Sequence, residues 1–266
     1  MSSSTDFTNK VAENYEKYMG PFFFEPYAKD LVERLPSNAG AILEIAAGTG
    51  QVTRLLRDKC PGAKIIATDL NPGMIETAKT TVKKEDKVEW MIADAQQLPF
   101  EDNIFDAVVF QFGLMFVPDK QKAVNEAYRV LKPGGKFIFN TWDKIQNNEI
   151  YITANDTTNS FFENDPITFW NVPFSMYDPD EMIKLMSGAG FNNTKTQNVT
   201  MTGICPSAID AAKALTLGTP MYSFIAERNA EKIPAILDKV TEAFKKEFGE
   251  GSIRTPLSAW VTEGTK

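Results

Sequence analysis

Ala41-Ile-Leu-Glu-Ile-Ala-Ala-Gly-Thr-Gly50 is the stretch that decides how this chain is read. Ala41 to Ile45 is a short β-branched run of the kind that forms a buried strand. It passes without a spacer into small residues and then into Gln51 to Lys59, an amphipathic helical stretch. Small residues at such a turn let the backbone approach a ligand closely. The helix behind them presents unpaired N–H groups and a partial positive charge. Taken alone, the turn is equally a tight connection between strand and helix.

Outward from this stretch the alternation repeats. Lys64 to Asp69 reads as a second strand, and Asn71 caps a helix with Pro72 in its first turn. Lys87 to Ile92 and Phe105 to Phe110 read as third and fourth strands. Ala123, Val124, Ala127, Val130 and Leu131 fall at helical spacing, Pro133-Gly134-Gly135 ends that helix, and Lys136 to Thr141 is a fifth strand. Strands alternating with helices imply parallel pairing through right-handed crossovers. The expected fold is α/β, a doubly wound, mostly parallel sheet with helices on both faces.

After Trp142 the pattern turns polar and aromatic-spotted up to Ser175. Asp178-Pro179-Asp180-Glu181 then opens a helix that ends near Gly188 to Gly190. Phe191 to Met201 reads as a sixth strand and Arg254 to Thr262 as a seventh. Between them Ser207 to Glu247 is helical, with an apolar stripe of Ile236, Leu237, Val240, Ala243 and Phe244. The chain is thus expected to be one domain over 1–266. It comprises an N-terminal lid or helices (1–38), a cofactor-binding core (39–142), and insertions at 143–177 and 205–250 that form a mostly helical cap over the sheet's ligand edge.

Composition narrows the chemistry. The 266 residues include 28 Lys+Arg, 35 Asp+Glu, two cysteines and no histidine. No Ser-His-Asp triad, HExxH zinc site or histidine base can be built. A transition metal would have only Cys60, Cys205 and carboxylates, so no metal site is expected. A net charge of -7 disfavours nonspecific binding to nucleic acid. Met1 to Asp6 lack the basic start and apolar stretch of a signal peptide. The apolar run Ile104 to Val117 is broken by Asp106, Gln111 and Gly113, too short and polar to span a bilayer. The expectation is a soluble cytoplasmic protein that meets a small molecule, with monomer and homodimer both open. The two cysteines are expected to be inert buried thiols.

Two acids extend the reading of the first turn. Asp69 ends the second strand, 19 residues after Gly50, where a carboxylate accepts ribose hydroxyls in dinucleotide folds. Asp94 follows the third strand, where it can accept from the exocyclic amine of adenine. Three such features on consecutive strand ends point to a nucleoside-containing ligand. A hydride-transfer enzyme fits poorly, because Thr53 stands where the third glycine of Gly-x-Gly-x-x-Gly belongs. Nor is there an evident Tyr-x-x-x-Lys dyad.

The runs ILEIAAGTG, IIATDLNPGMI, MIADAQQLPF, FDAVVFQFGLMFVPD and RVLKPGGKFIF together resemble the class I S-adenosylmethionine-dependent methyltransferases. The closest resemblance is to the small-molecule branch called type 11 or UbiE/COQ5-like, with a seven-stranded Rossmann-like sheet. It implies S-adenosylmethionine as cofactor and S-adenosylhomocysteine as product. The implied roles place Glu44 at the methionine ammonium and Ala46, Gly48, Thr49 and Gly50 along the methionine and ribose. Asp69 takes the ribose diol, Leu70 and Met74 pack near the adenine, and Asp94 and Ala95 meet its edge. Phe110, Gln111 and Met115 lie beside the methionine portion. Ala46 replaces the first glycine of the family loop, a small change.

The resemblance also gives the aromatic-rich segment from Val11 to Tyr18 and Phe22 to Phe24 the part of a lid, with Tyr18 toward the cofactor. It fixes no acceptor residues. The function it implies is in-line methyl transfer to a small, partly apolar molecule, in which alignment supplies much of the rate. The other class of reading is a non-catalytic module that binds S-adenosylmethionine or S-adenosylhomocysteine as a sensor or scaffold. No catalytic residue is assigned; Asp143, Glu149, a tyrosine or water could take a proton, and both acids read equally as solvated loop residues. Trp142, Phe161, Phe162, Phe169, Trp170 and Phe174 either line an acceptor pocket or fill the cap core.

Overall fold

The computed structural model describes residues 9–83 and 87–266, so Met1 to Asp6 lie outside the described residues. Seven strands form one sheet: β1 (Ala41–Ile45), β2 (Lys64–Asp69), β3 (Glu89–Ile92), β4 (Phe105–Gln111), β5 (Leu131–Trp142), β6 (Asn192–Cys205) and β7 (Ile253–Thr265). Their order is β3-β2-β1-β4-β5-β7-β6. β1 to β5 pair in parallel, and β7 runs antiparallel to both β5 and β6. The chain builds outward from β1 to β3, then returns to place β4 on β1's other side. That reversal opens a crevice at the carboxyl ends of the strands.

β4 shows why the central strands read as unbroken apolar runs. Successive side chains point to opposite faces. Val108 and Phe110 therefore enter one core with Phe137 and Phe139, while Ala107 and Val109 enter the other with Ile42 and Ile138. The first core is closed by α5 (Lys120–Val130) and α7 (Pro179–Ala189), through Ala123, Val124, Met182 and Met186. The second is closed by α2 (Glu25–Glu33) and α3 (Gln51–Lys59), through Leu31, Val32, Val52 and Leu56. Covered on both faces, a parallel strand has no wet side on which to place polar residues.

Local signals account for most boundaries. Asn71 caps α4 (Pro72–Thr81), its side chain accepting from the Gly73 and Met74 N–H groups. Asp178 does the same for α7 through Asp180 N–H, and Gly190 ends that helix in the left-handed conformation. Several strand boundaries differ from the sequence expectation: β3 starts at Glu89 rather than Lys87, and β6 runs from Asn192 to Cys205 rather than from Phe191 to Met201. β5 starts at Leu131 rather than Lys136, its pairing with β4 shifting register before Ala107 meets Lys136. β7 runs on to Thr265, because the whole length of β5 from Lys136 to Trp142 pairs with it.

The cap is helical. The 143–177 stretch contributes α6 (Glu149–Asn159), and the region after β6 contributes α8 (Ala208–Leu217), α9 (Met221–Asn229) and α10 (Ile233–Phe248). On the N-terminal side α1 (Asn9–Asn14) runs into a wide helical stretch, Tyr15–Phe24. There Glu25 N–H donates to the Gly20 carbonyl five residues back. Pro21 lies inside this stretch and has no N–H to give to the carbonyl four residues back, which favours the wider ladder. Among the described residues no helix is long and apolar enough to cross a membrane.

Asp143 is not a solvated loop residue. It is buried where β5 ends, and its carboxylate accepts from Lys144 N–H (2.8 Å), Asn147 Nδ2 (2.7 Å), Asn198 Nδ2 (3.1 Å), Ser258 Oγ (2.9 Å) and Trp260 Nε1 (3.0 Å). Burial pushes its pKa up, but these donors outweigh burial and hold it below the usual carboxylate value. The group ties the start of the 143–177 insertion to β6 and β7. Asp143→Asn, which turns an amide toward donors, is expected to destabilise the fold by about 2–4 kcal/mol. The depressed pKa gives stability that is present above the unfolded carboxyl's range and lost as pH falls through the folded value. Urea melts should therefore show the gap between parent and variant closing as pH drops below about 4. A gap unchanged down to pH 2 would contradict this account.

Candidate functional site

The turn after β1 is held in an uncommon backbone conformation. Ala46, Gly48 and Gly50 have φ of 51°, 56° and 86°, all in the left-handed region. At Gly50 the constraint is also steric, since a Cβ would stand 2.9 Å from Val82 Cγ2 and 3.3 Å from Trp90. At Gly48 nothing lies within 4 Å of a Cβ position, because that side of the turn faces open space. Ala46 carries a methyl group in a conformation that costs an L-residue about 1–2 kcal/mol, which is a physical reason for a glycine in that position.

The turn is fastened from the second strand. Asp69 Oδ2 accepts from Gly48 N–H at 2.8 Å and its Oδ1 from Asn71 N–H at 2.8 Å. Burial raises the pKa of Asp69, with these backbone donors pulling it back. Behind the turn Glu44 is buried, Oε2 accepting the Thr53 hydroxyl at 2.6 Å. Burial pushes the Glu44 carboxyl up to about 8, partly offset by that hydrogen bond.

A cavity of about 420 Å³ opens over these strand ends. Ala46 and Gly48 line it from the turn, Asp69, Leu70 and Met74 from the end of β2 and the start of α4. Asp94 and Ala95 line it after β3, and Phe110 and Gln111 at the end of β4. Five expected residues are not on its wall. Glu44, Thr49, Gly50 and Met115 are buried behind the lining, and Tyr18 is turned away. The Tyr18 ring lies between Lys17 Nζ at 5.0 Å and Lys213 Nζ at 5.6 Å. Its neighbours Tyr15 and Met19 line the cavity instead, because the wide helical stretch shifts the phase of side chains along it. Burial, then the charges of Glu16 and Asp69, hold the Tyr15 hydroxyl above its ordinary pKa. Glu16 fastens this segment down, accepting from Gln51 Nε2 at 2.9 Å and pairing with Arg54 at 3.3 Å.

The cavity has two arms of different chemistry. The arm at the ends of β1 to β4 carries the carboxylates of Asp69 and Asp94 and the side chain of Gln111, whose buried Oε1 has no hydrogen-bond partner among the described residues. The other arm is aromatic. Phe112 stacks on Trp142 at 4.1 Å, and Tyr151, Phe169 and Trp170 continue the wall. Among the described residues no lysine or arginine lines either arm. Of the six aromatic residues singled out from the insertion, Trp142, Phe169 and Trp170 reach the cavity, whereas Phe161, Phe162 and Phe174 do not. Tyr15 lies in the segment expected to act as a lid, whereas Met19, Phe112 and Tyr151 carry no signature in the local sequence. Only Phe112, a non-glycine residue at φ 46°, is marked by its backbone, and its N–H donates to Asn140 Oδ1 at 2.9 Å.

Because Glu44 has a pKa above its usual value near 4.5, the folded chain keeps a proton that the unfolded chain releases. Its contribution to stability therefore declines as pH rises from about 4.5 and is gone above about 8. Glu44→Gln has no such proton, so its melting temperature should gain on the parent's by several degrees between pH 5 and pH 9. A difference that does not change with pH would mean that the carboxyl is ionised throughout.

A methyltransferase-domain family model matches residues 43–139. A demethylmenaquinone methyltransferase of Clavibacter sepedonicus is 43% identical over 97 residues, 36% of this chain and 39% of that protein. A mitochondrial 2-methoxy-6-polyprenyl-1,4-benzoquinol methylase of Caenorhabditis elegans is 30% identical over 187 residues, 65% of each chain. This chain thus spans less than two thirds of the length of either relative. Among solved structures, that of the [4+2]-cyclase SpnF has a TM-score of 0.65 at 17% identity, covering 99% of this chain and 95% of the other. That likeness shows the fold, and a fold can host several reactions.

Proposed function

We propose that this protein transfers the methyl group of S-adenosylmethionine to a small, uncharged, largely apolar molecule, a reading supported by the match of residues 43–139 to a methyltransferase-domain family model. The carrying observation is one continuous cavity with an acidic arm over the strand ends and a neutral aromatic arm beside it. The acidic arm suits a cationic, donor-rich ligand. Asp69 and Asp94 can accept from ribose hydroxyls and an adenine amine. Gly48 leaves room for close approach, and Leu70, 62% exposed, offers an apolar face at the mouth. Glu44, behind the turn, supports the loop and stands within the acidic field of this arm. When bound, S-adenosylmethionine supplies an electrophilic methyl on sulfur.

The chain's own part is to bind, align and exclude water. Among the described residues the aromatic arm offers no carboxylate: Asp143 is committed to five donors, and Glu149 stands exposed outside the cavity. The hydroxyls of Tyr15 and Tyr151 are held neutral by burial. The acceptor atom's nucleophilicity is accordingly its own, and any proton it loses leaves through water. The family-model match ends at residue 139. Trp142, Tyr151, Phe169, Trp170, Thr219 and Pro220 of the aromatic arm lie outside residues 43–139, so the acceptor is to be read from this arm. A non-catalytic sensor would leave that arm without a purpose.

Calorimetry with S-adenosylhomocysteine tests the acidic arm. Binding is expected, and Asp69→Ala should weaken it about 10–100-fold, the loss of hydrogen bonds to a charged group. Failure of both S-adenosylmethionine and S-adenosylhomocysteine to bind at millimolar concentration would refute the reading. Transfer itself is measured as S-adenosylhomocysteine release in a screen of neutral aromatic acceptors. Tight cofactor binding with no release across that screen would favour the sensor.

A further inference from the structure

A second cavity, of about 450 Å³, lies beside the first. The 143–177 insertion builds it, with Lys144, Ile145, Asn171 and Phe174 among its lining residues. Among the described residues Trp170 alone lines both cavities. Its ring packs against lining rings of each, 5.0 Å from Tyr151 of the first and 6.1 Å from Phe174 of the second, between centroids. Trp170 stands in the short turn Phe169–Asn171 and is 4% exposed. The barrier between the two spaces is one residue thick at this point.

The Trp170 side chain keeps its place by packing. Its backbone carbonyl accepts Phe174 N–H at 3.2 Å, but its indole N–H has no hydrogen-bond partner among the described residues. The segment is anchored from elsewhere: the Asn159 amide pairs with the Ile167 N–H and carbonyl, and Arg228 holds Asp165 at 2.9 Å. Shortening the Trp170 side chain therefore breaks none of these bonds, and what it removes is the wall. The first cavity's 420 Å³ is near the lower end of the roughly 300–1,000 Å³ found for sites that hold one small ligand. As a methyltransferase site it must take cofactor and acceptor together. Little length then remains for the acceptor while Trp170 is in place.

Resting on the methyl-transfer reading above, we infer that Trp170 is a specificity-determining residue that limits the acceptor's length by closing the aromatic arm against the second cavity. The parent admits a compact ring. A smaller residue in this position joins the two spaces and admits a ring that carries an apolar tail. The discrimination comes from apolar surface: each methylene that leaves water strengthens binding about fourfold, and one that stays in water adds nothing.

The test measures binding of 4-ethyl-, 4-butyl-, 4-hexyl- and 4-octylphenol, one neutral ring with a lengthening tail, by calorimetry with saturating S-adenosylhomocysteine. In the parent the affinity is expected to level off, octyl exceeding butyl by less than about 10-fold. In Trp170→Ala and the milder Trp170→Leu the rise should continue, octyl gaining at least about 10-fold more over butyl than in the parent. Ser175 lines the second cavity and not the first, so adding Ser175→Trp to Trp170→Ala should fill that space and restore the levelling. A parent whose affinity climbs steadily to octyl overturns the inference, as does an unchanged length profile in the folded Trp170 variants. Long-tail binding that survives Ser175→Trp overturns it too, because the tail then lies elsewhere. So does a failure of both Trp170 variants to fold, which makes Trp170 core of the cap, or a parent that binds no member of the series. Failure of S-adenosylhomocysteine to bind would instead strike the methyl-transfer reading, so the two are told apart.

Discussion

The carboxylate of Asp69, bonded to the N–H groups of Gly48 and Asn71, is the interaction on which the site depends. It joins the turn after β1 to the start of α4 and holds both against the neighbouring strand end. The turn needs such fastening because its backbone is left-handed at Ala46, Gly48 and Gly50. A chain conformation of that kind persists only where its surroundings over-determine it. Here the Ala47 N–H donates to the Thr68 carbonyl, and Val82 and Trp90 crowd Gly50, so the turn is boxed in on three sides. What remains open is the side facing the cavity.

Two further fastenings complete the enclosure. Glu16 pins the wide N-terminal stretch onto the first turns of α3, bringing Tyr15 and Met19 over the crevice. Asp143, at the end of β5, fixes where the first insertion departs, and with it the position of Tyr151 and Trp170. Both are carboxylates holding polar partners rather than groups exposed to reactants. In a chain without histidine, Asp143, which first looked like a candidate base, is structural.

The parts legible in the sequence are those with local causes. Period and capping gave α4 and α7 their starts, at Asn71 and Asp178, because a cap is a contact between residues two or three apart. Continuous apolar runs identified β1, β2 and β4, because a strand covered on both faces leaves no polar alternation. Nine of the fourteen expected ligand-facing residues line the cavity for a similar reason, since strand ends in a doubly wound sheet converge on one crevice. The choice of Tyr18 over Tyr15 went astray through a change of helical phase. A widened ladder around Pro21 alters which side chain faces inward, and side-chain spacing alone does not report it.

By itself, then, the sequence determined a doubly wound sheet, its loop of small residues and the acids at its strand ends, all set by interactions between residues near in sequence or on adjacent strands. Only the tertiary structure decided which residues remote from the first turn meet the cavity. Tyr15, Trp142, Tyr151, Trp170 and Thr219 are drawn from segments up to about two hundred positions apart, brought together by packing over the sheet. It also decided that Asp143 is buried and Tyr151 unpaired, since satisfaction of a polar group depends on every element around it. Burial and hydrogen bonding are properties of the assembled fold, which is why the aromatic arm could not be read from residue types alone.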